Sequence, residues 1–312
     1  MPKVLVTPRS FAQYSNTAYE NMQKAGITII KNPVGGILSK EQMIEHIKEV
    51  EGIIIGVDPL DADVLRSAPG LKAVSKYGVG TDNIDIEYCK SHDIEVSITL
   101  NANSDAVADY AFALMLAVAR KIPEIDKACR QGDWGKKMSV DVFGKKLGIF
   151  GLGAIGRGMV ARAKGFNMEI YGYDAYRDDI YINENNIRFM PPEAILKECD
   201  FISLHMPLTP QTKHFINAAK LQTAKKNLII INTARGGLIN EEDLYNALKN
   251  GSILGAGVDV FENEPASESK LLELENVVLG SHCAASTQGA VENMSRMAAD
   301  NIINAFRKRG LI

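Results

Sequence analysis

The chain has 312 residues, 46% of them hydrophobic and 23% charged, and its 35 basic and 38 acidic residues leave a net charge of −3. This is a soluble globular composition with length for two domains. With no basic block, it disfavours nucleic acid and anionic membranes as partners. The longest apolar runs, such as AFALMLAVA at 111–119, are too short to span a bilayer.

The amino-terminal MPKVLVTP has no signal-peptide pattern and reads directly as a strand. Cys89, Cys129, Cys199 and Cys283 are far apart and form no CxxC pair. Free thiols, no metal and a cytoplasmic setting are the expectation. β-rich runs follow at 3–8, 26–32, 52–57, 71–78 and 94–99, separated by amphipathic stretches such as SKEQMIEHIKEV at 39–50. Such alternation predicts a parallel sheet covered by helices. A long helical segment spans 104–134, with Ser104 expected as its N-cap and Pro123 expected to end or kink it.

A second alternating series has six strands, at 146–150, 169–174, 199–206, 227–234, 252–261 and 277–282, and the tail 286–309 is helical again. Six strands with intervening helices match a doubly wound dinucleotide fold. The predicted architecture is therefore α/β, with two doubly wound parallel-sheet domains and a cleft between them. A Rossmann domain occupies 101–284. A discontinuous, flavodoxin-like substrate domain takes 1–100 and 285–312, the tail packing back on it.

Gly151, Gly153 and Gly156 have the spacing G-x-G-x-x-G, directly after one strand and at the start of AIGRGMVARAKGF. That context favours a turn whose backbone approaches a pyrophosphate. Asp174 ends the next strand and can bond the ribose 2′-hydroxyl of NAD. Arg177, three residues on, is the candidate that would hold a 2′-phosphate instead. Ligands of open α/β sheets bind beyond the carboxyl ends of the strands. The last three strands carry Arg235, then Asp259 and Glu264, then His282 at those ends. An arginine fork binds a carboxylate, a histidine exchanges a proton, and a glutamate orients the histidine. That set suits interconversion of 2-hydroxy and 2-keto acids with a nicotinamide carrying the hydride. His46, His92, His214 and His205 read as solvated or structural, and Cys283 as a small wall residue.

The strings SKYGVGTDNID (75–85), LGIFGLGAIGR (147–157), LHMPLTPQTKHFIN (204–217), INTARGGLIN (231–240), GVDVFENEP (257–265) and SHCAASTQGAVENM (281–294) resemble the D-isomer-specific 2-hydroxyacid dehydrogenases over essentially the whole chain, especially the phosphoglycerate dehydrogenase branch. The resemblance implies catalytic roles for Arg235, Glu264 and His282. It places Ala154 and Ile155 at the pyrophosphate, Met206 and Pro207 on the adenine side, and Thr233 and Ala234 among the cofactor contacts. It gives Asp259 the nicotinamide carboxamide and the backbone of Val79 and Gly80 the substrate carboxylate. It also implies a homodimer built on the cofactor domain and a cleft that closes. Glu264 stands where formate dehydrogenases carry an amide, and this favours hydroxy acids. A non-enzymatic alternative is an NAD-sensing corepressor, and turnover by the purified protein would separate the two. The chain stops short of the regulatory domain of the larger phosphoglycerate dehydrogenases, so serine feedback through it is expected to be absent. The leading substrate expectation is 3-phosphoglycerate and its keto acid, with Lys76 holding the phosphate and Lys136, Lys137 or Arg9 as further cations. Hydroxypyruvate or glyoxylate is the unphosphorylated alternative.

Overall fold

The computed structural model describes all 312 residues, in two compact units: Met1–Asn103 with Ser286–Ile312, and Ser104–Ala285. The first unit holds β1 (Lys3–Val6), β2 (Thr28–Lys31), β3 (Gly52–Ile55), β4 (Ala73–Lys76) and β5 (Glu95–Ile98). They form one parallel sheet in the order β2-β1-β3-β4-β5, the flavodoxin-like winding. Alternate residues serve opposite faces, as a pleated strand requires. Leu5, Ile53, Ile55 and Val74 join one core. Val4, Val6, Ile54 and Ala73 join another, with Ala298, Ile302 and Phe306 of the helix Gln288–Lys308. The carboxyl-terminal helix is therefore one covering layer of a sheet made from the first hundred residues. Ser39 caps Lys40–His46 through a complete capping box with Gln42.

The second unit holds β6 (Lys146–Phe150), β7 (Glu169–Tyr173), β8 (Arg188–Phe189), β9 (Phe201–Leu204), β10 (Ile229–Asn232), β11 (Gly255–Val258) and β12 (Val277–Leu279). Their order is β12-β11-β10-β9-β6-β7-β8, all parallel. The winding reverses between β6 and β9, as in a dinucleotide-binding sheet. One strand more than expected is present. β8 has two residues, too few to show a hydrophobic period. The helix Ser104–Ala119 starts at Ser104 itself, so Ser104 is its first residue rather than its cap. Pro123 does not end it. The break falls at Lys121, with φ +53, and Pro123 lies in the first turn of a new helix, Ile122–Arg130. Proline is tolerated there because first-turn N–H groups have no helical partner. No helix is long and apolar enough to cross a membrane.

Candidate active site

β6 runs into the glycine loop, and the helix Ala154–Gly165 begins with Gly153 as its cap. Each glycine has its own reason. Gly151 has φ +96, and a Cβ on it would lie 2.6 Å from the His205 carbonyl group. A Cβ on Gly156 would strike the carbonyl of Gly151, so only glycine lets helix and loop pack this closely. Around Gly153, by contrast, nothing lies within 4 Å of a would-be Cβ. Gly153 and Ala154 are exposed and Ile155 is half-buried. No side chain caps the first turn, so its N–H groups face that open space. An open cradle at a helix N-terminus fits a pyrophosphate.

Asp174, just past β7, is built into the same loop. Its Oδ2 accepts the Leu152 N–H at 2.6 Å and its Oδ1 the Tyr176 N–H at 2.8 Å. Each oxygen keeps lone-pair capacity for a hydroxyl. Arg177 is paired with Asp179 at 2.6 Å and lies over the Phe189 ring. Beyond β9, Met206 is 8% exposed and Pro207 is open to solvent. Beyond β10, the Thr233 hydroxyl is buried with no hydrogen-bond partner. Such an orphaned group at a strand end calls for a ligand. Glycine cradle, strand-end carboxylate and unpaired hydroxyl together fit a dinucleotide.

The proposed catalytic side chains come from the loops after β10, β11 and β12. Asn232 is fully buried, accepts the Ala234 N–H at 3.1 Å and donates to the Arg235 carbonyl at 2.8 Å. That bond pair shapes the Arg235 loop. A Cβ on Gly236 would strike the Phe261 backbone, so this loop and the one after β11 lie backbone to backbone. Glu264 Oε1 accepts the Phe261 N–H at 3.0 Å, and its Oε2 lies 2.8 Å from His282 Nδ1. A carboxylate can only accept, so Nδ1 carries the proton and Nε2 remains for exchange. Partial burial pushes Glu264 up. The bond and charge of His282, the Phe261 N–H and the Arg235 guanidinium outweigh it and hold the carboxyl below its ordinary range. Arg235, Glu264 and His282 thus share one electrostatic neighbourhood. His282 is 40% exposed in its side chain, open to a reacting molecule.

Asp259 has no exposed surface. Its Oδ1 accepts the Cys283 N–H at 3.0 Å, its Oδ2 the Ala284 N–H at 2.9 Å, and its carbonyl the His282 N–H at 2.7 Å. The expected contact with a nicotinamide carboxamide has no surface to use in this conformation. What Asp259 does here is hold the His282 turn. His205 bonds Ser203 through Nε2 at 2.8 Å, and its Nδ1 is shut off from solvent. Burial pushes this ring down to about 3, which keeps it neutral.

In the first unit, Lys76 differs from its expected role. It is 6% exposed, and its ammonium donates to the Gly56 carbonyl and, at 2.8 Å, to Asn83 Oδ1. Asn83 in turn donates to the carbonyls of Gly56 and Asp58. The two side chains clamp the base of the loop carrying Val79, which is exposed, and Gly80, which is half-buried. A strand-end lysine in SKYGVG reads as an emerging cation, and only the fold brings Gly56 and Asn83 to it. Lys137 pairs with Glu124 at 3.1 Å, whereas Arg9 and Lys136 are exposed. Sequence reasoning passed over Asn232, Gly236 and Asn83. Each stands inside or beside a quoted motif, and its polar or small character there was the available signal.

The family model described as D-isomer specific 2-hydroxyacid dehydrogenase, NAD binding domain, matches residues 112–284. A glyoxylate reductase of Korarchaeum cryptofilum is 42% identical over 88% of this chain and 84% of its own length. A D-3-phosphoglycerate dehydrogenase of Methanocaldococcus jannaschii is 40% identical over 86% of this chain but 52% of its own length. The crystal structure of a D-lactate dehydrogenase from Aquifex aeolicus, complexed with NAD and lactic acid, superposes with a TM-score of 0.86 at 27% identity, covering 99% of this chain and 96% of that one.

Proposed function

Because the chain belongs to the D-isomer specific 2-hydroxyacid dehydrogenase family and is an NAD-dependent dehydrogenase, we propose that its substrate is a small unphosphorylated 2-keto acid of the glyoxylate or hydroxypyruvate type, reduced to the D-2-hydroxy acid. The observation that carries this reading is Lys76. The cation expected to hold a phosphate is buried and bonded to Gly56 and Asn83. The glyoxylate reductases among the relatives support it. The phosphoglycerate reading retains Arg9 and Lys136 as exposed cations and takes second place.

The glycine loop, Asp174, Met206, Pro207, Thr233 and Ala234 would hold NAD, which supplies or accepts the hydride when bound. In reduction, His282 Nε2 would give its proton to the oxygen on C2 of the acid. Glu264 keeps the imidazolium oriented through the bond at Nδ1. Arg235 binds the carboxylate and draws electron density towards the carbonyl oxygen. In the first unit, the loop of Val79 and Gly80 is the segment that the resemblance gives to a substrate carboxylate. In oxidation His282 starts neutral and receives the hydroxyl proton.

The test is kcat/KM with NADH for glyoxylate, hydroxypyruvate and phosphohydroxypyruvate, in the native enzyme and in Lys76→Ala. The unphosphorylated acids should lead, and the variant should weaken all three alike by loosening the Val79–Gly80 loop. A clear preference for phosphohydroxypyruvate, with a loss in the variant confined to it, would overturn the reading.

A further inference from the structure

The turn that presents His282 is gripped from two sides, and only one grip belongs to its own sheet. His282 has φ +56, the left-handed region that non-glycine side chains rarely adopt. Such a conformation persists only where the surroundings over-determine it. Asp259, at the end of β11, supplies one hold through three backbone N–H groups in succession, those of His282, Cys283 and Ala284.

The second hold comes from Tyr110, on the helix Ser104–Ala119. Cys283 Sγ lies 3.3 Å from the Tyr110 hydroxyl, to which it donates, and 3.5 Å from Asp259 Oδ1. The same hydroxyl would stand 2.7 Å from a Cβ on Gly280, and Asp259 Oδ1 would collide with that Cβ as well. The chain entering this turn at Gly280 therefore threads between a phenol and a carboxylate, and position 280 has room only for glycine. Burial raises Tyr110 well above an ordinary phenol, with Cys283 and Asp259 adding to the rise, so its hydroxyl stays protonated. Tyr110 lies near the beginning of this unit and Cys283 near its end, so one hydrogen bond ties the two together.

We propose that Tyr110, acting through Cys283, is a positioning residue that sets the angle at which His282 meets Glu264 and the reacting oxygen. This rests on the acid/base role proposed for His282. Proton transfer demands close alignment, and a displacement on the order of 1 Å can cost up to about a hundredfold in rate. Losing the second grip leaves the fold intact but lets the left-handed turn relax, lengthening the bond to Glu264.

The experiment compares Tyr110→Phe, Cys283→Ala, Cys283→Ser and the Tyr110→Phe/Cys283→Ala double variant by steady-state kinetics across pH, with His282→Ala beside them. Tyr110→Phe and Cys283→Ala should each lower kcat about five- to thirtyfold. KM for NADH should stay within about twofold, because the glycine loop is untouched. The pH profile of keto-acid reduction should change, since the contact between His282 and Glu264 is altered, whereas a purely structural loss would leave it alone. Cys283→Ser keeps a donor and should retain most of the rate. The double variant should be no slower than the slower single, as expected of two members of one contact. A lower melting temperature with unchanged kcat and pH profile in Tyr110→Phe would overturn the proposal while an inactive His282→Ala upholds the catalytic reading. A fully active His282→Ala would remove both.

Discussion

At the scale of single residues, His282 and Glu264 form one unit, because the 2.8 Å bond between them occupies Nδ1 and leaves Nε2 as the ring nitrogen available for exchange. His282→Ala should lose on the order of 10²–10⁴ in kcat, the range for a removed general acid or base. Glu264→Gln keeps the shape and removes the charge beside His282, so kcat should fall and the pH profile of the reduction should change. Stability carries its own signature. The Glu264 carboxyl is depressed in the folded state, so its contribution is present above the unfolded value, about 4.3, and disappears as pH falls through the folded value. The melting-temperature gap between native protein and Glu264→Gln should be small at neutral pH, because the pair is partly exposed. It should close in acid. A gap that widens below pH 4 would contradict the assignment. Lys76 is the residue whose sequence reading and tertiary setting diverge most. Its position at the end of β4 was legible, and the inward course of its ammonium was not.

At the scale of elements, the loop from β6 into its helix separates two kinds of glycine. Gly156 and Gly151 are required by the fold, since a Cβ on either meets backbone. Gly153 is required by nothing in the protein, since a Cβ there meets no atom within 4 Å. Gly153→Ala should therefore fold with an unchanged melting temperature yet raise KM for NADH roughly tenfold or more by obstructing the cradle. Gly156→Ala should lose stability and cofactor binding together, by about 1–3 kcal/mol for the overpacked contact. Thermal melts with and without NAD would distinguish the two variants. The motif was visible as a string, but its division of labour was not, because spacing does not say which glycine touches protein and which touches solvent.

At the scale of the whole molecule, the first unit is assembled from both ends of the chain. Phe306 is fully buried near the carboxyl terminus, and its ring occupies the space a Cβ on Gly52 would need. Phe306→Ala should cost about 3–5 kcal/mol, a large fraction of a domain's stability. The loss should fall on the first unit, visible as a separate early transition in calorimetry, with the second unit melting as in the native protein. Coincident loss of both transitions would show that the two units unfold as one.

What the sequence by itself determined about this protein follows from short-range regularities. Alternating β and helical patterns gave two parallel sheets, and the ends of three apolar strands pointed to Arg235, Glu264 and His282. Strand order in a wound sheet constrains which loops share an edge, so a motif's place along the chain becomes a place in space. The tertiary structure alone decided the features that depend on side-chain direction and on contacts between distant segments. Pro123 opens a helix because Lys121 had already turned the chain. Asp259 faces inward to the His282 turn rather than outward. Tyr110 sits in an apolar helical run that reads as plain core, yet its hydroxyl meets Cys283, 173 residues away. Hydrogen-bond partners at such separations leave no period or spacing in a sequence, because they arise only where the packed chain leaves a buried donor one acceptor to find.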